Sequence, residues 1–113
     1  PYGELPVLVA TTRALDDDPP DTVRAQRGPI AELIEAAKRA AGGKDVYLDG
    51  GNIIRQAAEA NLIDDLTITV APIALGSGIS LFGGMSNWYP LEVTSHHRHP
   101  GGMIQLRARP KRP

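Results

Sequence analysis

Gly50 and Gly51 stand where a short apolar run, Asp45 to Asp49, gives way to the helical spacing of Ile53, Ile54, Ala57 and Ala58. A helix N-terminus leaves several backbone N–H groups without partners and carries partial positive charge, so it attracts anions. Glycines at that point let phosphate oxygens reach the amides, because no side chain stands between them. The same pair also suits a tight turn, and Asn52 also suits an ordinary N-cap. The residues alone leave both readings open.

Other chemistry-bearing groups carry less. Asp64 and Asp65 are adjacent carboxylates, but the stretch lacks a partner acid or a nucleophile, and a helix-to-strand turn explains them. His96, His97 and His99 cluster within four residues, and on a strand His97 and His99 share a face while His96 opposes them. Two imidazoles can meet a metal, yet no third or fourth ligand lies nearby in sequence, so an exposed hairpin is expected and no metal is assigned. Asp16 to Asp18 lack the glycine and glutamate spacing of a calcium loop. Arg107, Arg109, Lys111 and Arg112 make a basic end without aromatic residues to stack on bases, so nucleic acid is not expected as a partner.

The elements that must hold these groups follow from pattern. Val7 to Ala10 is a short apolar run, the mark of a strand covered on both faces. Asp16 to Asp21, with Pro19 and Pro20, is a surface loop. From Pro29, the residues Ile30, Leu33, Ile34, Ala37 and Ala41 recur at helical spacing until Gly42-Gly43 stops the helix. A second strand is expected over Asp45 to Asp49, and a second helix from Ile53 to near Asn61. A third strand, from Leu66 to Ala71, is β-branched and alternating. Strand, helix, strand, helix, strand argues for parallel strands joined by right-handed crossovers. Pro72 to Asn87 holds Gly76, Gly78, Gly83 and Gly84 and reads as a long loop. Leu91 to Arg98 and Met103 to Arg109, around Pro100-Gly101-Gly102, read as an antiparallel hairpin.

Composition bounds the rest. The chain of 113 residues, 42% hydrophobic and 22% charged, fits one globular domain over residues 1–113 rather than a disordered tail. Its 12 basic and 13 acidic side chains give a net charge of -1, so an anionic ligand must be recognised locally rather than by a global field. It has no cysteine, which excludes thiolate metal sites and permits a reducing compartment. With no apolar run of spanning length and no charged-then-apolar leader, the expectation is a soluble, cytoplasmic protein with no membrane partner.

The ordered set Gly50-Gly51, Ile63-Asp64-Asp65-Leu66, Ala71-Pro72, Gly76-Ser77-Gly78 and Leu81-Phe82 resembles the later part of the dihydrofolate-reductase-like superfamily. It is most similar to the reductase domain of riboflavin-biosynthesis deaminase-reductases and their stand-alone relatives, from Leu5 to Arg109. The resemblance implies a three-layer α/β fold, with a mostly parallel sheet and a C-terminal antiparallel hairpin. It implies NADPH as cofactor, with Gly50, Gly51, Asn52, Ile53 and Ile54 approaching the pyrophosphate, and a cis Gly50–Gly51 peptide. Thr11, Thr12 and Arg13 match the place where relatives hold the adenosine 2′-phosphate, and an arginine fork suits phosphate oxygens. Asp49 stands where many relatives carry a glutamate facing the substrate.

The activity so implied is NADPH-dependent hydride transfer to a pterin, a ribosylamino-pyrimidine or a similar ring. The alternative is a nucleotide-binding or oligomerising remnant of the fold without turnover. In the family, a first strand, a helix and a further strand precede the point where this chain begins. The catalytic residues are therefore not named from these residues. A parallel sheet without its central strands exposes apolar edges, and family members are often dimers, so a homodimer is expected.

Overall fold

The computed structural model describes residues 6–10 and 23–112. These form two compact units, divided between Gln56 and Ala57. Among the described residues there are five strands and two helices.

The first unit holds strand β1 (Val7–Ala10), strand β2 (Val23–Gln26), helix α1 (Ile30–Ala41) and the start of helix α2 (Gly51–Glu59). β1 and β2 pair in parallel, with Val7 opposite Val23 and Ala10 opposite Gln26. β2 was not expected. Its four residues, Val-Arg-Ala-Gln, are too short and too polar to announce a strand, and only pairing with β1 defines it. α1 matches the expected helix closely. Pro29 is its N-cap, in extended conformation, and its carbonyl accepts from the N–H groups of Glu32 and Leu33. At the other end Gly42 adopts φ +59°, and its N–H turns back to the carbonyls of Lys38 and Arg39. Glu32 in the first turn and Lys38 and Arg39 in the last complement the helix dipole. Ile34 is the buried residue of the apolar stripe.

The strand expected over Asp45 to Asp49 is absent. A strand is completed by a ladder, and this segment pairs with no other described strand; Val46 and Leu48 are half-buried while Tyr47 is exposed. Without a ladder partner among the described strands, the short apolar run stays irregular.

The second unit holds the end of α2 and strands β3 (Leu66–Val70), β4 (Leu91–Arg98) and β5 (Ile104–Pro110), in the sheet order β3-β5-β4. α2 ends through Asn61, which takes φ +56°, while the N–H of Leu62 reaches the carbonyl of Ala57 at 2.8 Å. Both strand pairs are antiparallel. This corrects the expectation that Leu66 to Ala71 joins a mostly parallel sheet. Its true neighbour is β5, supplied from the C-terminal end of the chain. Leu66, Ile68 and Val70 alternate with Thr67 and Thr69, the pattern of a sheet covered on one face only, which antiparallel sheets tolerate. Ala57, Ala58, Ile63, Leu66 and Ala108 are buried.

The expected hairpin is present, and its turn is closed by bonds between His99 and Met103 and between Gly102 and His99. The loop expected from Pro72 to Asn87 lies within residues 71–90, which contain no helix or strand. Their Ile73, Leu75, Ile79 and Trp88 side chains stand exposed. No described helix is long and apolar enough to cross a membrane.

Candidate functional site

In the first unit the chain turns into α2 through two glycines that do different jobs. Gly50 has φ +94°, a conformation that costs an L-residue about 1–2 kcal/mol, so backbone geometry alone calls for glycine there. Gly51 is the first helical residue and has no such conformation. A Cβ at Gly51 would meet nothing within 4 Å, so neither crowding nor strain within the chain requires glycine at that position. The peptide between them is trans, which corrects the expected cis bond; the positive φ of Gly50 makes the turn instead.

The first helical bond of α2 runs from the N–H of Ile54 to the carbonyl of Gly50, at 3.0 Å. The N–H groups of Gly51, Asn52 and Ile53 therefore precede the hydrogen-bonded ladder and lie at the positive end of the helix. No acidic side chain sits in that first turn. Asp49 lies just outside it, and its Oδ1 accepts from the N–H of Gly50 at 2.8 Å. The carboxylate is thus turned back on its own chain.

Asn52 is not the N-cap, because the helix has already started at Gly51. Its Oδ1 accepts from Nη2 of Arg55, one turn further on. Arg55 was not singled out in the sequence. The signal was the spacing of three between an amide and an arginine in the opening turns of a helix, where the two side chains become neighbours. With its oxygen engaged by Arg55, the Asn52 amide still has its NH2 donors to offer. The start of α2 thus offers backbone N–H groups, an amide NH2 and a guanidinium, all donors, next to the open space at Gly51. That arrangement can bind an oxyanion.

Of the other expected site residues, Ile53 and Ile54 are half-buried on α2, while Thr11, Thr12 and Arg13 lie outside the described residues. The structure brings Asp49 through Ile54 together in one turn.

Charged groups of the second unit mostly neutralise one another. An open groove on its sheet is lined by Asp64, Asp65, Thr94, Ser95, Arg107 and Arg109. Arg107 donates to Oδ2 of Asp65 through Nε at 3.0 Å and Nη2 at 2.6 Å. That bond holds the Asp65 carboxyl below its ordinary range. Arg109 pairs with Glu92, and Arg112 with Asp64. The Tyr89 hydroxyl is buried, has no hydrogen-bonding partner among the described residues, and is raised in pKa chiefly by that burial.

Comparison with known proteins agrees with the resemblance read from the glycine-containing motifs. A solved protein from Shewanella sp. PV-4, named for riboflavin biosynthesis, superposes with a TM-score of 0.82 at 29% identity, over 95% of this chain and 61% of its own. A pyrimidine reductase-like protein from Corynebacterium diphtheriae NCTC superposes with a TM-score of 0.68 at 24% identity, over 80% of this chain and 40% of its own. The chain thus spans less than two thirds of the length of either. Among curated protein sequences none matches significantly. The sequence pattern of the RibD C-terminal domain covers residues 2–104, and the chain belongs to that family.

Proposed function

We propose that this chain is the dinucleotide-binding part of an NADPH-dependent reductase acting in riboflavin biosynthesis, built on the dihydrofolate-reductase-like three-layer fold. The observation that carries the reading is the donor-lined turn at Gly50-Gly51, in a chain whose family match spans residues 2–104. The residues present fit a pyrophosphate. Gly51 leaves open space where a side chain would stand, no carboxylate occupies the first turn of α2, and Asp49 just before it is engaged with Gly50.

In this reading the N–H groups of Gly51, Asn52 and Ile53 bind phosphate oxygens, with the Asn52 amide beside them. Arg55 orients that amide and adds positive charge. Ile53 and Ile54 provide apolar surface that limits water around the bound group. Thr11, Thr12 and Arg13 hold the 2′-phosphate that distinguishes NADPH from NADH. When bound, the cofactor supplies the hydride for a C=N or C=O bond, while the protein supplies orientation. The substrate class is a pterin, a ribosylamino-pyrimidine or a similar ring; a relative named as pyrimidine reductase-like supports the pyrimidine end of that range.

A second reading, a nucleotide-binding or self-associating module without turnover, is favoured by the exposed Ile79 and Trp88 of the second unit, apolar side chains of the kind a homodimer would cover. Titration with NADPH and NADH, followed by nicotinamide fluorescence, tests the first. Saturable binding that prefers NADPH is expected, and Arg13→Ala should weaken NADPH much more than NADH. A folded sample that binds neither cofactor leaves the module reading in its place.

A further inference from the structure

The sheet of the second unit has an apolar face and a polar face, and an irregularity in β4 decides which histidines lie on which. Before it, Leu91 pairs with Pro110 and Val93 with Ala108; beyond it, Ser95 pairs with Arg107 and His97 with Gln105. A bulge inserts one residue and so reverses the facing of everything that follows. Thr94, the inserted residue, donates its hydroxyl to the carbonyl of Arg107 at 3.1 Å. As a result His97 falls opposite Gln105 on the polar face, with His99 two residues on, while His96 falls opposite Leu106 on the apolar face.

The rings of His97 and His99 meet edge to face, with centroids 4.4 Å apart. Nε2 of His99 lies 3.4 Å from Oε1 of Gln105, whose Nε2 in turn donates to Oγ1 of Thr69 at 3.4 Å. With the amide oxygen toward His99, the tautomer that pairs with Gln105 is the one protonated on Nε2, and that tautomer leaves the Nδ1 lone pair for a ligand.

We propose that His97 and His99 form a two-imidazole site for a divalent transition-metal ion of the zinc, nickel and copper group. Imidazole nitrogen suits these ions, whereas magnesium and calcium prefer oxygen. Zinc–nitrogen bonds of about 2.1 Å put two ligating nitrogens of a tetrahedral site roughly 3.4 Å apart. The two rings already stand side by side, with centroids 4.4 Å apart. A carbonyl accepting from the far nitrogen is the usual support behind a ligating imidazole, and Gln105 provides it, backed by Thr69. Gln105 is a positioning residue here, and water completes the coordination.

The test is calorimetric titration of zinc chloride into untagged protein, in a non-chelating buffer at neutral pH. Saturable one-to-one binding is expected, lost in His97→Gln and in His99→Gln and unchanged in His96→Gln. Gln105→Leu should weaken zinc roughly tenfold or more, and Gln105→Glu, which keeps an acceptor, should restore it. His97 is exposed, so its replacement leaves the fold intact. Absence of saturable binding overturns the proposal, as does binding that survives His97→Gln or is lost equally in His96→Gln. A Gln105→Glu protein as weak as Gln105→Leu overturns the positioning role.

Discussion

Gly51→Ala separates what the chain needs from what a ligand needs. The position is helical, has no positive φ, and offers a Cβ nothing within 4 Å. Alanine there restricts the unfolded chain without straining the folded one, which stabilises a protein by about 0.5 kcal/mol. For a chain of this size that raises Tm by roughly 2–4 °C. The cofactor should feel the opposite. A methyl group beside the first amides of α2 holds a phosphate oxygen away from at least one charge-assisted hydrogen bond, worth about 1.5–3 kcal/mol. At about 1.4 kcal/mol per tenfold, the Kd for NADPH rises roughly 10- to 100-fold. Thermal unfolding and a fluorescence titration on the same sample read both quantities. Gly51→Ala protein that is stabilised and binds NADPH as tightly as wild type refutes the placement of phosphate at this turn.

Three further changes probe the frame. Gly42→Ala, at φ +59° with open space around a Cβ, should cost about 1–2 kcal/mol from backbone strain alone, read as a lower urea midpoint, with Gly42→Asn losing less. Arg112→Ala removes donors to the side chain and carbonyl of Asn61, to the carbonyl of Ile63 and to Asp64, and should cost roughly 1 kcal/mol; an unchanged midpoint would show that this clamp is ornamental. Asp65 has its folded pKa lowered, first by the hydrogen bond from Arg107, so it contributes stability above its ordinary value of 3.8 that is lost as pH falls below 3.8 through the depressed folded value. Both partners are largely exposed, so the effect is small. Urea midpoints at neutral pH and at the acid end of that window should converge between wild type and Asp65→Asn, and parallel curves would contradict the assignment.

Local signals were legible wherever the chain settles its own conformation. Pro29 and Gly42 bracket α1, with Pro29 as its N-cap rather than the first-turn proline expected, and Pro100-Gly101-Gly102 marks the turn between β4 and β5. The glycine pair before α2 was visible too, although backbone strain calls for glycine at Gly50 only, and nothing within the chain requires it at Gly51. Arg55 was not visible as a partner of Asn52, because an arginine on an amphipathic helix reads as ordinary solvated charge until its neighbour is seen.

What the sequence by itself determined was therefore the set of elements held by dihedral preference and by the apolar repeat, together with the family that its ordered motifs resemble. Tertiary structure decided the pairing. β2 exists because β1 lies beside it, Asp45 to Asp49 has no ladder among the described strands, and β3 runs antiparallel because its partner is β5. It also decided that Thr94 is an extra residue in β4, and so which face His97 shares with Gln105. Capping and helical spacing are written into neighbouring residues. A strand's backbone N–H and C=O groups are satisfied only by another strand, and which one that is depends on chain distant in sequence.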